Sequence, residues 1–102
     1  MAPPPNIALI GYGSSAKTFH IPLILATPSL RLHGIVQRTP TPTDDAGNDH
    51  PGVRTYRSSA EAVADAEVDV VVITTPPGTH APLAREAILG GKHGMWGFFE
   101  RW

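Results

Sequence analysis

Six residues near the amino terminus have the spacing of a phosphate-binding turn. Residues 11–16 read G-Y-G-S-S-A, which fits the pattern G-x-G-x-x-G/A. In that pattern Gly11 permits a tight turn, Gly13 lets the backbone approach a pyrophosphate, and small Ala16 lets a helix pack on a strand. Ser14 and Ser15 add hydroxyl donors, and the amino end of a following helix adds free N–H groups. We predict that these residues bind the phosphates of a dinucleotide, with a purely structural tight turn as the alternative.

A second informative pair, Gln37-Arg38, follows the second predicted strand. Dinucleotide sites for NAD usually have Asp or Glu at this point, whereas those for NADP have an Arg near the 2′-phosphate. Here no carboxylate stands at the end of the strand, and the guanidinium of Arg38 can pair with a phosphate through two hydrogen bonds. We predict that Gln37 and Arg38 contact the cofactor and that it is NADP, with NAD as the alternative. The other interpretation of Arg38 is an ordinary surface residue.

The first half of the chain alternates between strand and helix patterns. The apolar run at residues 6–10 predicts a short buried strand. A helix is expected from residue 14 or 15 to about residue 20, where Pro22 interrupts it, with a second helical stretch at 22–26. Residues 30–37 predict the second strand and residues 53–56 the third. The Pro-, Gly- and Asp-rich segment between them predicts a loop with room for a short helix.

The second half of the chain continues the alternation. Ser58 and Glu61 have the spacing of a capping box, which predicts a helix to about residue 66. The valine-rich residues 68–75 predict a strand. Thr79 is expected to cap a last helix over residues 80–89, which the two glycines that follow would end.

The order β-α-β-β-α-β-α predicts an α/β fold. We expect an incomplete Rossmann-type parallel sheet of about four strands, flanked by helices and joined by right-handed crossovers. Residues 1–5, which include three prolines, are expected to be a disordered lead-in, and residues 6–93 to form the dinucleotide-binding domain. Parallel strands place their carboxyl ends at one edge, so the glycine turn and the pair after the second strand should meet there.

Composition excludes several other classes of function. The chain has 102 residues, a net charge of −1 and no cysteine. No basic block suggests a nucleic-acid or membrane partner, and no thiolate metal site or disulfide can form. The histidines show no metal-ligand spacing. No signal peptide or membrane-length apolar run is visible, so we expect a cytoplasmic protein. Nothing in the sequence indicates its oligomeric state.

The chain resembles the amino-terminal domain of the Gfo/Idh/MocA oxidoreductases. The resemblance rests on residues 7–13, on A-K-T-F-H followed by P-L at 16–23, and above all on V-D-V-V-V-I-T-T-P-P-G-T-H at 68–80. It implies a domain that binds NAD or NADP in an enzyme acting on a sugar, a polyol or a related carbonyl compound. It also implies that Thr74, Thr75 and Pro76 pass under the cofactor near the nicotinamide and that His80 holds that loop. Alternatively, His80 only caps backbone at the start of its helix.

The last nine residues depart from that family pattern. The resemblance implies that a buried strand and a Glu-Lys-Pro motif should follow, whose lysine is catalytic or positions the substrate. Residues 94–102 instead read G-M-W-G-F-F-E-R-W. We interpret them as a divergent aromatic tail, which either packs as a makeshift fifth strand or leaves an exposed patch. Because the motif and a substrate domain are missing, we assign no catalytic residue. We expect a fragment that binds cofactor; the alternative is a non-catalytic module for nucleotide sensing or protein interaction.

Overall fold

The computed structural model describes residues 4–75 and 80–96, which form a five-stranded sheet with helices on both faces. Five strands and four helical segments follow one another along the chain. The strands are β1 (Asn6–Ile10), β2 (Arg31–Val36), β3 (Arg54–Tyr56), β4 (Val70–Ile73) and β5 (His93–Trp96). The helices are α1 (a π-helical turn, Ala16–His20, followed directly by α-helical Ile21–Leu25), α2 (Ala46–Asp49), α3 (Ser59–Ala64) and α4 (His80–Leu89).

The strand order is β3-β2-β1-β4-β5, and every neighbouring pair is parallel. The chain therefore moves outward from β1 through β2 to β3, and then crosses to β4 on the other side of β1. This reversal of direction leaves a crevice beyond the carboxyl ends of β1 and β4, where α/β sheets bind ligands. The predicted α/β fold of Rossmann type is confirmed.

The two faces of β1 belong to two separate cores, as expected for a central strand covered on both sides. Ile7 and Leu9 pack with the apolar side of α1 and with α2. Ala8 and Ile10 pack on the opposite face with residues of α3 and α4. All four side chains are at most 3% exposed, so a polar substitution at any of them would bury an unpaired group.

Helix α1 differs from the expected pair of helices, because Pro22 does not interrupt it. Residues 14–25 are continuously helical, and the N–H of Ile21 donates to the carbonyl of Ala16, five residues back. Such a π-helical turn changes the hydrogen-bond pattern where the proline ring and its missing N–H conflict with a regular helix. Pro22 then lies in the first turn of the α-helical part, where a proline is tolerated.

The ends of α3 and α4 follow the local signals. Ser58 accepts a hydrogen bond from the N–H of Glu61 at 3.3 Å, as the capping box predicts, although α3 is two residues shorter than expected. At the carboxyl end of α4, Gly91 has a φ of +79°, and the N–H of Lys92 donates to the carbonyl of Ala87 at 2.8 Å. The N–H of Gly91 also donates to the carbonyl of Ile88, at 3.0 Å. These two hydrogen bonds around a glycine of positive φ form the Schellman motif, so the helix ends where the sequence predicts. Thr79, its expected cap, lies outside the described residues.

The first residues of the aromatic tail form β5, so the sheet has five strands instead of about four. Val70 pairs with His93 and Ile73 with Trp96. Of the two outcomes expected for this segment, the fifth strand is therefore the one that these residues adopt. Gly94–Trp96, which did not alternate in hydropathy, take a strand conformation because the edge of β4 offers unpaired backbone groups. Residues 97–102 lie outside the described part of the chain.

Candidate coenzyme-binding site

The centre of the candidate site is the point where β1 and β4 end side by side. The N–H and the hydroxyl of Thr74 both donate to the carbonyl of Ile10, at 3.0 and 2.8 Å. Gly11 donates to the carbonyl of Val36 at 3.1 Å, which ties the turn to β2 as well. These bonds fix the two loops that leave the central strands at the edge of the crevice.

Gly11 occupies a conformation that only glycine adopts without strain. Its φ is +112°, and a β-carbon there would lie 2.5 Å from Oγ1 of Thr74 and 3.2 Å from Cγ2 of Thr75. Both the backbone angle and the close approach therefore require glycine at this position. The tight turn that the sequence predicts at Gly11 is present.

The remaining residues of the turn divide between an open side and a packed side. Gly13 and Ser14 are exposed, and a β-carbon on Gly13 would meet nothing within 4 Å. Ser15 is half-buried, while Ala16 is fully buried against the sheet. This arrangement leaves free space over the glycine backbone at the start of α1, which is what the approach of a pyrophosphate requires.

Tyr12, which the motif leaves unspecified, links the turn to the loop after β2. Its hydroxyl donates a hydrogen bond to the carboxylate of Asp49 in α2, and its ring meets the ring of His50 edge-on. Burial, and then the hydrogen bond to Asp49, raise the pKa of Tyr12 well above its ordinary value. The hydroxyl acts as the donor in this bond, so Tyr12 fastens the loop to the turn.

Gln37 is buried, and both ends of its amide are used by the same loop. Its Nε2 donates to the carbonyl of Asp44 at 2.8 Å, and its Oε1 accepts from the N–H of Ala46 at 2.8 Å. The side chain of Gln37 therefore anchors the loop that follows β2 to the end of that strand. Arg38, the next residue, is exposed.

Two adjoining cavities open at this edge of the sheet, and Arg38 borders both of them. Ile10, Val36 and Thr75 also line both. The smaller cavity, of about 260 Å³, is further lined by Gly11, Tyr12, Gln37, Thr39 and Asp44. The larger, of about 520 Å³, lies toward α3 and α4 and is further lined by Ser58, Ser59, Pro82, Leu83 and Glu86. Arg38 thus stands between the cavity at the glycine turn and the larger, more apolar cavity beside it.

The structure brings most of the predicted site residues to this one edge. Gly11, Gln37, Arg38 and Thr75 line the smaller cavity, and Thr74 is bonded to the neighbouring Ile10. The other predicted residues of the turn follow Gly11 in the chain but do not line this cavity: Gly13, Ser14, Ser15 and Ala16. His80 is the first residue of α4, which begins at the same edge. Pro76 lies outside the described residues, and nothing about the side chain of His80 is described.

Sequence reasoning missed the contacts that join the loop after β2 to helix α1 and the turn before it. Lys17 forms an ion pair with Asp44, and its ammonium group lies 4.6 Å from the ring centroid of Tyr12. The partners are 27 residues apart in the chain, so no local pattern marks them. The one available signal was a cluster of aspartates in that loop, close in sequence to the end of β2.

A second polar cluster lies at the amino end of the sheet, away from the cavities. Asp65 accepts hydrogen bonds from the hydroxyl of Tyr56 at 2.6 Å and from the N–H of Glu67 at 2.9 Å. It also contacts His33 at 3.3 Å and Arg54 at 3.4 Å. The hydrogen bond from Tyr56 is the largest cause that lowers the pKa of Asp65 to about 2. Within residues 4–75 and 80–96, no group of His, Asp and Glu side chains could hold a metal ion.

Residues 5–96 match the family described as "Oxidoreductase family, NAD-binding Rossmann fold", GFO_IDH_MocA, and the chain belongs to it. A relative from Escherichia coli strain K12, the uncharacterized oxidoreductase YdgJ, is 40% identical over 88 residues, which are 86% of this chain and 25% of that protein. The solved structure of a provisionally described oxidoreductase from Klebsiella pneumoniae superposes with a TM-score of 0.83 at 42% identity. That match covers 99% of this chain and 29% of the other.

A third relative has a named activity. The NADP(+)-dependent scyllo-inositol 2-dehydrogenase IolW of Bacillus subtilis strain 168 is 28% identical over 88 residues, 86% of this chain and 24% of IolW. The chain spans about a quarter of the length of the curated relatives it matches. The family match favours the oxidoreductase interpretation over that of a non-catalytic sensing module. It establishes a nicotinamide dinucleotide as the cofactor, and it does not distinguish NADP from NAD. No helix among the described residues is long and apolar enough to cross a membrane.

Proposed function

We propose that this chain binds NADP(H) as the coenzyme unit of an oxidoreductase that acts on a sugar, a polyol or a related carbonyl compound. The observation that carries the proposal is the position of Arg38, which borders both cavities at the end of β2. In this place a guanidinium can form two charge-assisted hydrogen bonds with a 2′-phosphate. The end of β2 has no carboxylate that would repel the phosphate.

The residues of the glycine turn fit the pyrophosphate of the same coenzyme. Gly11 and Gly13 keep the backbone free of side chains, and Ala16 keeps α1 close to the sheet. Ser14 and Ser15 stand at the start of α1, where hydroxyls and the positive helix end favour an anion. In the proposed arrangement the pyrophosphate lies over this turn, and the adenosine half extends toward the end of β2.

The nicotinamide half is assigned to the end of β4. We propose that Thr74, Thr75 and Pro76 lie beside it and that His80 supports their loop. Thr74 is suited to this role because its two hydrogen bonds to Ile10 fix where the chain leaves the strand. The coenzyme, when bound, carries the hydride that reduces a carbonyl or is taken from an alcohol. The contribution of this chain is to bind and orient it.

The substrate class and cellular location belong to the same proposal. A polyol dehydrogenase among the relatives supports a hydroxylated substrate, and its printed coenzyme supports NADP. The protein is proposed to work in the cytoplasm, with the dinucleotide as its partner and with no nucleic-acid or membrane partner. We assign no catalytic residue within the chain and propose that the dinucleotide-binding domain occupies residues 6–93.

Binding of NADPH and NADH to the full chain, measured by calorimetric titration, tests this proposal. Replacing Arg38 by Ala removes the proposed partner of the 2′-phosphate. It should lower the affinity for NADPH by about 10- to 100-fold, which is the effect of losing a hydrogen bond to a charged group. NADH should change by less than about twofold. Arg31→Ala, an exposed arginine at the opposite end of β2, is the matched control and should leave both affinities unchanged.

Two results would contradict the proposal. If the wild-type chain binds neither coenzyme, it is not a dinucleotide-binding unit. If Arg38→Ala weakens NADPH and NADH equally, Arg38 does not contact the 2′-phosphate, and the choice of NADP is wrong while binding itself stands.

A further inference from the structure

The loop after β2 brings an acidic residue to the wall of the smaller cavity, whereas the strand itself ends without one. Asp44 lines the smaller cavity together with Arg38, Thr39 and Gly11. In sequence it lies seven residues beyond Gln37, too far to be recognised as the acidic residue that ends the second strand in NAD-binding domains. The fold nevertheless brings it to the wall of the same cavity as Gln37 and Arg38. An acidic and a basic residue therefore both line this cavity.

The position of Asp44 is fixed by the backbone and does not depend on its own side chain. Its carbonyl accepts the hydrogen bond from Gln37, and its N–H and carbonyl exchange hydrogen bonds with Thr41 at 3.1 and 3.0 Å. The bond from Tyr12 to Asp49 holds the next turn of the same loop. Replacing the Asp44 carboxylate by an amide would leave all of these contacts in place, so the loop should not move.

The charge of Asp44 is balanced by Lys17 of helix α1. The two side chains form an ion pair, and they are 42% and 45% exposed. A pair this exposed contributes only about 0–1 kcal/mol to folding, which is too little to explain it as a structural clamp. The pair also bears on an anion in the adjoining cavity, because removing either partner leaves an unbalanced charge beside it.

We propose that Asp44 and Lys17 together adjust the coenzyme preference that Arg38 gives to this site. The Asp44 carboxylate accepts hydrogen bonds from the ribose hydroxyls of NADH and opposes the 2′-phosphate of NADPH. Lys17 weakens that opposition, and Arg38 overcomes it. This inference rests on the proposed function, since it assumes that the adenosine ribose lies in the smaller cavity.

A double-mutant cycle on the full chain tests the inference through the ratio of the dissociation constants for NADPH and NADH. Asp44→Asn should raise the affinity for NADPH by about three- to tenfold and lower the affinity for NADH by about two- to threefold. Lys17→Met should weaken NADPH more than NADH, because the carboxylate is then unbalanced. In the double variant Lys17→Met/Asp44→Asn, most of the effect of the lysine substitution should disappear.

The matched control is Asp45→Asn, which removes the same charge one residue away. Asp45 does not line the smaller cavity, and its side chain caps α2 by accepting from Gly47, a role that asparagine also fills. This variant should leave the ratio within about twofold of wild type, since its carboxylate would not contact the ligand.

Each outcome of the cycle has a distinct meaning. A wild-type chain that binds neither coenzyme contradicts the proposed function itself. If both coenzymes bind but Asp44→Asn changes the ratio no more than Asp45→Asn does, the inference is wrong and the proposed function stands. If Lys17→Met weakens NADPH and NADH equally, with or without Asp44, then Lys17 contacts the shared phosphates directly and does not balance Asp44. That result would also overturn the inference.

Discussion

The Oγ1 atom of Thr74 lies 2.5 Å from the point that a β-carbon on Gly11 would occupy. Two loops separated by more than 60 residues thus meet without room for one methyl group. The hydroxyl of Thr74 is held there by its hydrogen bond to the carbonyl of Ile10. The side chain cannot rotate away without losing this bond, so the contact fixes the residue type at Gly11.

Gly11→Ala should therefore destabilise the chain by about 1–3 kcal/mol, because alanine is strained at a φ of +112° and would collide with Thr74. Urea denaturation monitored by circular dichroism measures the loss in the free energy of unfolding. Adding Thr74→Ser to this variant removes the methyl group of Thr74 but keeps the hydroxyl that collides with the β-carbon added at position 11. The double variant should therefore not regain stability. An unchanged midpoint in Gly11→Ala would show that the turn is free to adopt another conformation.

Gly13→Ala should separate ligand binding from stability. The β-carbon meets nothing within 4 Å, so the free energy of unfolding should change by less than about 1 kcal/mol. Because the methyl group stands in the proposed path of the pyrophosphate, the affinities for NADPH and NADH should both fall by about tenfold or more. Gly52→Ala is the control, since a β-carbon there also meets nothing within 4 Å and the residue lies outside the site. Equal affinities in these two variants would argue against a phosphate at Gly13.

Gln37→Ala should affect stability and coenzyme affinity together. It removes two hydrogen bonds, to Asp44 and Ala46, from a buried side chain, which should cost about 1–3 kcal/mol. The loop that carries Asp44 would lose its anchor, so NADPH should bind more weakly by titration. Asn48→Ala, which removes an exposed side chain from the same loop, should change neither quantity. If Gln37→Ala binds NADPH normally, the loop does not shape the cavity.

The hydrogen bond from Tyr56 to Asp65 should make the free energy of unfolding depend on pH between about pH 4 and pH 2. The pKa of Asp65 is lowered from 3.8 to about 2, so the stabilisation by its carboxylate is complete above about pH 4 and is lost as the pH falls toward 2. The shift corresponds to about 2 kcal/mol. Tyr56→Phe removes its largest cause while keeping the ring in the core.

Urea denaturation of wild type and Tyr56→Phe at pH 6 and at pH 2.5 measures this effect. The two proteins should differ by about 1–2 kcal/mol at the higher pH and by less at the lower one, where the carboxyl is increasingly protonated in both. The difference at pH 6 includes the ordinary loss of a partly buried hydrogen bond. A difference that stays constant with pH would show that Tyr56 is not what lowers the pKa of Asp65.

The features that could be predicted from the sequence are those encoded over short distances. The glycine turn follows an apolar strand directly, Ser58 stands three residues before Glu61, and the two glycines follow the last turn of α4. Each signal and its structural consequence lie within one turn of chain, so the element order and the edge that carries the site could be derived. The predicted interruption of α1 at Pro22 was wrong, because a proline can be accommodated by a local change of helix type, which composition does not reveal.

The features that could not be predicted depend on residues that only the fold brings together. The link from Lys17 to Asp44 and the link from Tyr12 to Asp49 join residues 27 and 37 positions apart. The sequence left strand β5 as one of two outcomes, because backbone pairing with β4 determines its conformation more than the hydropathy of its own side chains does. Gln37 lines the smaller cavity, but its sequence position could not show that its amide is used within the protein.

β1 and β4 are neighbours in the sheet but lie far apart along the chain, which has a consequence for folding. The pairing of β1 with β2 joins residues about 25 positions apart, whereas its pairing with β4 closes a loop of more than 60 residues. Closing so long a loop costs more chain entropy and is slow, so this pairing should form late. Gly11 and Thr74 meet only when it has formed. A ligand that spans them should therefore leave the folding rate nearly unchanged and slow unfolding.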